Sequence, residues 1–149
     1  MPPNAAMSPL AWVLSLKIAA TVLVWCLPLL LFPSLWLEAL GLPAQPTTMF
    51  LRMLGWAYLA LCVGYGFGLQ AALRGQRLLG PIWVGIVSNG GACLYLLYFG
   101  LAGAFAPWPP LLQVVAWGSA VATALITLGL WRYGVRGALP LAGVAAPPP

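Results

Sequence analysis

Leu73-Arg74-Gly75-Gln76-Arg77-Leu78-Leu79-Gly80-Pro81 interrupts two apolar stretches of about 20 residues or more each, and its reading decides the fold. Two arginines, a glutamine and two glycines make it a connection. Pro81 falls in the first turn of whatever follows, where its missing N–H leaves no hydrogen bond unmade. A connection this short makes the helices on either side antiparallel neighbours.

Working outward, four apolar runs are long enough to span a bilayer: about 10–32, 50–73, 81–104 and 111–131. Each reads as a helix, because a barrel strand alternates polar and apolar residues, and Leu27-Pro28-Leu29-Leu30-Leu31-Phe32 does not. The fold class that follows is all-α. The chain reads as a single membrane domain, residues 1–149, an integral membrane four-helix up-down bundle. Trp108-Pro109-Pro110 opens the last span as Gly80-Pro81 opens the third, and Pro28 predicts a kink inside the first. Lys17 lies within the first run and no A-x-A site follows Phe32, so the run reads as a retained span. The proline-rich tail, 145–149, cannot extend a helix.

Composition agrees. The chain is 63% hydrophobic and 5% charged, with a mean hydropathy of +1.00, too little polar surface for a soluble monomer. The sequence pI near 9.6 does not imply nucleic acid, since six scattered cations form no basic patch. Their placement points to topology instead. Lys17, Arg74, Arg77, Arg132 and Arg136 all fall on one side of an even-numbered bundle, and the positive-inside rule makes that side, with both termini, cytoplasmic. Trp12, Trp83, Trp131 and Tyr133 at the inner ends, with Trp36, Phe50 and Trp108 at the outer ends, read as interfacial anchors.

The first outer connection, 33–49, predicts a short interfacial helix over 35–40, capped by Ser34, ended by Gly41 and closed by Pro43. Glu38, the only acidic side chain, belongs to it. Arg52 lies near the start of the second span, on the side that the positive-inside rule disfavours and at the positive end of its own helix dipole. An Arg52–Glu38 ion pair or shared water-filled pocket is therefore expected; the alternatives are snorkelling to head groups or binding an anionic ligand. Lys17, about two turns inside a span, is expected to snorkel to the cytoplasmic head groups.

A second polar set shares one depth in the inner half: Thr21, Tyr65, Ser88, Asn89 and Thr123, with Gln70 and Thr127 nearer the cytoplasm. Such residues either hydrogen-bond between helices or line a cavity. Gly64-Tyr65-Gly66-Phe67-Gly68 and Gly118-Ser119-Ala120 with Ala122 and Ala124 give small-residue faces for helix contact, within the bundle or with another membrane protein or a second copy. Cys26, Cys62 and Cys93 lie one per span, with no C-x-x-C, and read as buried apolar residues. With no histidine and one carboxylate, the chain has no triad, carboxylate pair or ordinary metal site of its own, and no cofactor or autonomous enzyme is expected.

Arg52-Met53-Leu54-Gly55, heading the second span after a first span that ends Leu31-Phe32-Pro33, resembles the DoxX-like small four-helix bacterial membrane proteins. The resemblance implies a four-helix bundle in the bacterial cytoplasmic (inner) membrane, and some relatives are linked to membrane redox complexes. It carries over no catalytic residues. Three functions fit: a non-catalytic accessory or assembly subunit of a membrane complex, a carrier or binder of a lipid or small amphipathic molecule, and a redox component dependent on a partner's cofactor. The first is the leading expectation, and membrane lipids are partners in every case.

Overall fold

The computed structural model describes residues 7–42 and 47–137, so Pro43 and the 145–149 tail lie outside the described residues. Among the described residues, the regular elements are helices. Four are long and apolar enough to cross a membrane: Pro9–Leu31, Met49–Leu73, Leu79–Leu101 and Pro110–Val135.

The first is composite. Helix α1, Pro9–Thr21, starts at Ser8, whose hydroxyl accepts the Ala11 N–H at 3.2 Å, with Pro9 in the first turn. A π-helical turn, Val22–Cys26, then leads into α2, Leu27–Leu31. Pro28 explains it. The proline has no N–H and its ring would meet the carbonyl four residues back, and a widened turn in which the Leu27 N–H reaches Val22 absorbs both. The kink predicted at Pro28 thus takes the form of a π turn just before it.

Helix α3, Ser34–Ala39, lies in the first connection and starts one residue before the expected 35–40. Pro33, not Ser34, is the N-cap, since its carbonyl accepts the N–H groups of Trp36 and Leu37 at 3.0 and 3.2 Å. Helices α4 (Met49–Leu73), α5 (Leu79–Leu101) and α6 (Pro110–Gly129) follow, and a second π turn, Leu130–Val135, ends the described bundle. Gly41, Gly75 and Gly103 close α3, α4 and α5 with φ of 92°, 72° and 82°. In each the next residue's N–H reaches back to Leu37, Ala71 or Phe99 at 2.9 to 3.1 Å. Gly103 therefore stops α5 at Leu101, three residues short of the expected end at Ala104.

Contacts fix the up-down order. Leu10, Ala11 and Leu14 from the start of α1 pack with Ala72 at the end of α4, Ile82 at the start of α5 and Leu130 beyond α6. Tyr65 completes this core. At the opposite end, Arg52 near the start of α4 meets the end of α2. Outside the core the helices present apolar side chains outward, including Trp12, Trp56, Phe67, Leu94 and Leu128.

Arg77, between α4 and α5, ties the last turn into this end. Its Nη1 donates to the carbonyls of Gly134, Val135 and Gly137 at 3.2, 2.9 and 2.9 Å, a cation placed on the negative end of the final helix. That cap is why the fourth span runs to Val135, beyond the expected end at Trp131. Close packing also depends on small residues: a Cβ built on Gly85 would lie 2.5 Å from Leu130 Cδ1. Gly85→Ala is expected to cost about 1–3 kcal/mol by overpacking, read as a lower midpoint in thermal unfolding in detergent. An unchanged midpoint would show that Leu130 moves aside freely.

Candidate functional site

Beyond the packed core the helices part around an open-sided cavity. Its volume of about 510 Å³, between α1, α4, α5 and α6, lies within the roughly 300–1,000 Å³ typical of small-molecule sites. Spacing explains its lining. Lys17, Thr21 and Trp25 recur every four residues along the first span, while Tyr58, Leu61 and Tyr65 lie three and four apart on α4, so each helix turns one stripe inward. Ser88, Asn89, Ala92 and Tyr95 come from α5, and Ser119 and Thr123 from α6.

The inner part is polar. Tyr65 Oη and Ser88 Oγ are 2.9 Å apart, Ser88 Oγ lies 3.3 Å from the Gly85 carbonyl, and Asn89 Nδ2 donates to that carbonyl at 2.6 Å. Thr21 donates to the Lys17 carbonyl at 2.8 Å, and Thr123 to Ser119 and Ala120 at 2.7 and 3.0 Å. The threonines bond within their own helices, leaving Tyr65–Ser88 as the cross-helix bond of the set. The structure therefore brings Thr21, Tyr65, Ser88, Asn89 and Thr123 together around one cavity. Gln70 and Thr127 are outside its lining, and the Thr127 hydroxyl donates to the Thr123 carbonyl.

Lys17 corrects the sequence reading. Instead of snorkelling it is 4% exposed, with its ammonium 4.3 Å from the centroid of the Tyr65 ring, a cation–π contact. The reason is its register. Leu10, Leu14 and Lys17 fall at i, i+4 and i+7 on the inward stripe, so the route to water is filled by the core itself.

The other end of the cavity is aromatic. Trp25 and Tyr58 lie with ring centroids 5.9 Å apart, and Phe105, 5% exposed, packs 4.8 Å from Trp108 and 5.7 Å from Trp117. Gln113 holds the connection that carries Phe105 and Trp108, donating to the carbonyls of Ala106 and Trp108 at 3.3 and 2.9 Å. Sequence reasoning missed this aromatic half and read Trp108 only as an interfacial anchor. The signal was the four-residue spacing of Lys17, Thr21 and Trp25.

Arg52 and Glu38 belong elsewhere. Arg52 Nη1 and Nη2 each lie 2.6 Å from a carbonyl, those of Leu29 and Phe32 respectively, and neither residue lines the cavity. Glu38 is exposed on α3, and no ion pair joins the two among the described residues. The expected pairing gives way because Arg52 has a better use. Pro33 has no N–H for the Leu29 carbonyl, and the chain turns at Phe32, so the end of α2 presents orphan acceptors that a forked guanidinium satisfies. Gly55 makes the approach possible, since a Cβ there would lie 2.8 Å from Leu30 Cγ. The R-x-x-G segment is thus a device for docking α4 onto α2.

The three cysteines are free, Cys26 and Cys62 buried and Cys93 half-buried. Among the described residues no group of three His, Cys, Asp or Glu could hold a metal ion. No family model, characterised protein or solved structure matches this chain.

Proposed function

We propose that the chain is a multi-pass membrane protein that binds a small amphipathic molecule in the cavity between its four long helices. The observation that carries this reading is the division of one cavity into a hydroxyl-, amide- and lysine-lined inner part and an aromatic outer part. A ligand with a polar head and an apolar body matches that division. The apolar exterior supports a lipid environment: Leu101, Val87, Leu94 and Phe50 are 68–80% exposed, an arrangement that water would penalise. Arg74, Arg132 and Arg136 lie exposed at the end closed by the core, which favours that end as the cytoplasmic one and α3 as a helix lying in the opposite interface.

Ala92 lines the cavity and is exposed, so Ala92→Trp fills the space without displacing core side chains. The protein extracted in mild detergent is expected to retain an amphiphile, detected by native mass spectrometry, and the variant to lose it while keeping the same helical content by circular dichroism. Equal retention by both forms would refute the reading.

An accessory-subunit role has one observation in its favour. Gly118 and Ala122 are exposed one turn apart on α6, and a Cβ added at Gly118 would meet nothing within 4 Å, a small-residue ridge open to another helix. Gly68, by contrast, is occupied inside the bundle against Pro81. Detergent extraction and pull-down tests this role; a lone monomer would count against it.

A further inference from the structure

We infer that the head group of the bound amphiphile is a monoanion held by Lys17, a deepening that rests on the cavity being a binding site. The Lys17 residue is 96% buried and lines the cavity, yet among the described residues its ammonium makes no hydrogen bond to the protein and lies over the Tyr65 ring. No protein acceptor among the described residues takes its three N–H donors, which open on the cavity. A buried cation in that condition is costly, and a partner charge with hydrogen-bonding oxygens offsets the cost.

No acidic side chain lies near enough to supply that charge. The chain's one acidic side chain, Glu38, lies beyond the far end of the first span, and the fourteen residues from Lys17 to Leu31 alone separate them by roughly 20 Å of helix. The neighbouring polar groups do not replace it. The Thr21 and Thr123 hydroxyl protons are already committed to backbone carbonyls, and one Asn89 amide proton to Gly85. Lys17 is thus the strong donor left facing the cavity, and a single cation matches a single negative charge. The aromatic end, Trp25 with Tyr58 and Trp108, then takes the apolar body.

A long-chain carboxylate and the phosphodiester of an anionic phospholipid share this chemistry, and the test separates them. Binding of palmitate and of hexadecanol, equal in chain length but not in charge, is measured by tryptophan fluorescence on the full chain in neutral detergent. In parallel the chain is placed in nanodiscs of phosphatidylcholine with or without phosphatidylglycerol, and retained lipid is counted. The wild type is expected to bind palmitate, or to retain phosphatidylglycerol over phosphatidylcholine, by at least about tenfold, the effect of one desolvated charge pair. That preference is expected to vanish in Lys17→Met and to survive in Lys17→Arg. Whichever anion shows it identifies the source. Should Lys17→Met not fold, the wild-type ratio of palmitate to hexadecanol decides alone.

Hexadecanol binding as tightly as palmitate, with no phosphatidylglycerol preference, would overturn the anionic head while leaving the cavity a binding site. A preference that persists in Lys17→Met would overturn the role of Lys17. Failure of every probe to bind would remove the binding reading itself, and this inference with it.

Discussion

Arg52→Met is expected to destabilise the bundle by about 3 kcal/mol, and Glu38→Gln by no more than about 0.5 kcal/mol. The difference follows from what each side chain touches. Arg52 makes two charge-assisted hydrogen bonds, to Leu29 and Phe32, and its loss leaves both carbonyls at the end of α2 without a donor. Glu38 is exposed. Such bonds contribute roughly 1.5–3 kcal/mol each, and Arg52 is only half-buried, which argues for the lower end. The cation also lies against the negative end of the α2 dipole, which offsets its unfavourable place at the start of its own helix. Arg52→Lys is expected to recover about half of the loss, because an ammonium cannot reproduce the fork. Unfolding by a denaturing detergent, followed by circular dichroism, gives these values. A Glu38→Gln variant as unstable as Arg52→Met would restore the ion pair and refute the cap.

Arg77→Met is expected to act locally before it acts globally. Without Nη1 on the carbonyls of Gly134, Val135 and Gly137, the π turn Leu130–Val135 loses its tie to the α4–α5 connection. The Arg77 Nε is buried without a partner, and among the described residues the contact runs through Nη1. Hydrogen exchange should show protection over 131–136 falling while that of α4 around Tyr65 holds, with an overall loss of about 2 kcal/mol. Unchanged exchange over 131–136 would mean that packing of Leu130 and of Gly134 against Ile82 suffices on its own.

Much of the fold was legible because hydropathy and breakers act locally. Runs of apolar residues, Gly75 after Arg74, and Pro109-Pro110 each state a helix or its end without reference to the rest of the chain. Two ends moved, for different reasons. Gly103 closes α5 through its own φ of 82°, which a run of small apolar residues conceals, and the last helix lengthens because Arg77 reaches it. In the candidate site, Tyr65, Ser88, Asn89 and Thr123 could be grouped by depth alone, since polar side chains at one level of an apolar bundle share few places to go. Their aromatic neighbours carried no such mark, as Trp25 and Tyr95 are ordinary apolar-face residues until four helices enclose a space.

The charges divide sequence from tertiary structure most clearly. Sequence alone determined that the chain is helical, that four helices are long and apolar enough to cross a membrane, and that five of its six cations cluster toward one end. Those properties are sums over local stretches. Only the tertiary structure decided that Lys17 is buried in a cavity and not extended to the surface, that Arg52 caps α2 and does not pair with Glu38, and that Arg77 holds the last turn. Each outcome depends on which unpaired carbonyl or open space lies within reach of a long side chain, and reach is a property of packed helices, not of the order of residues along one of them.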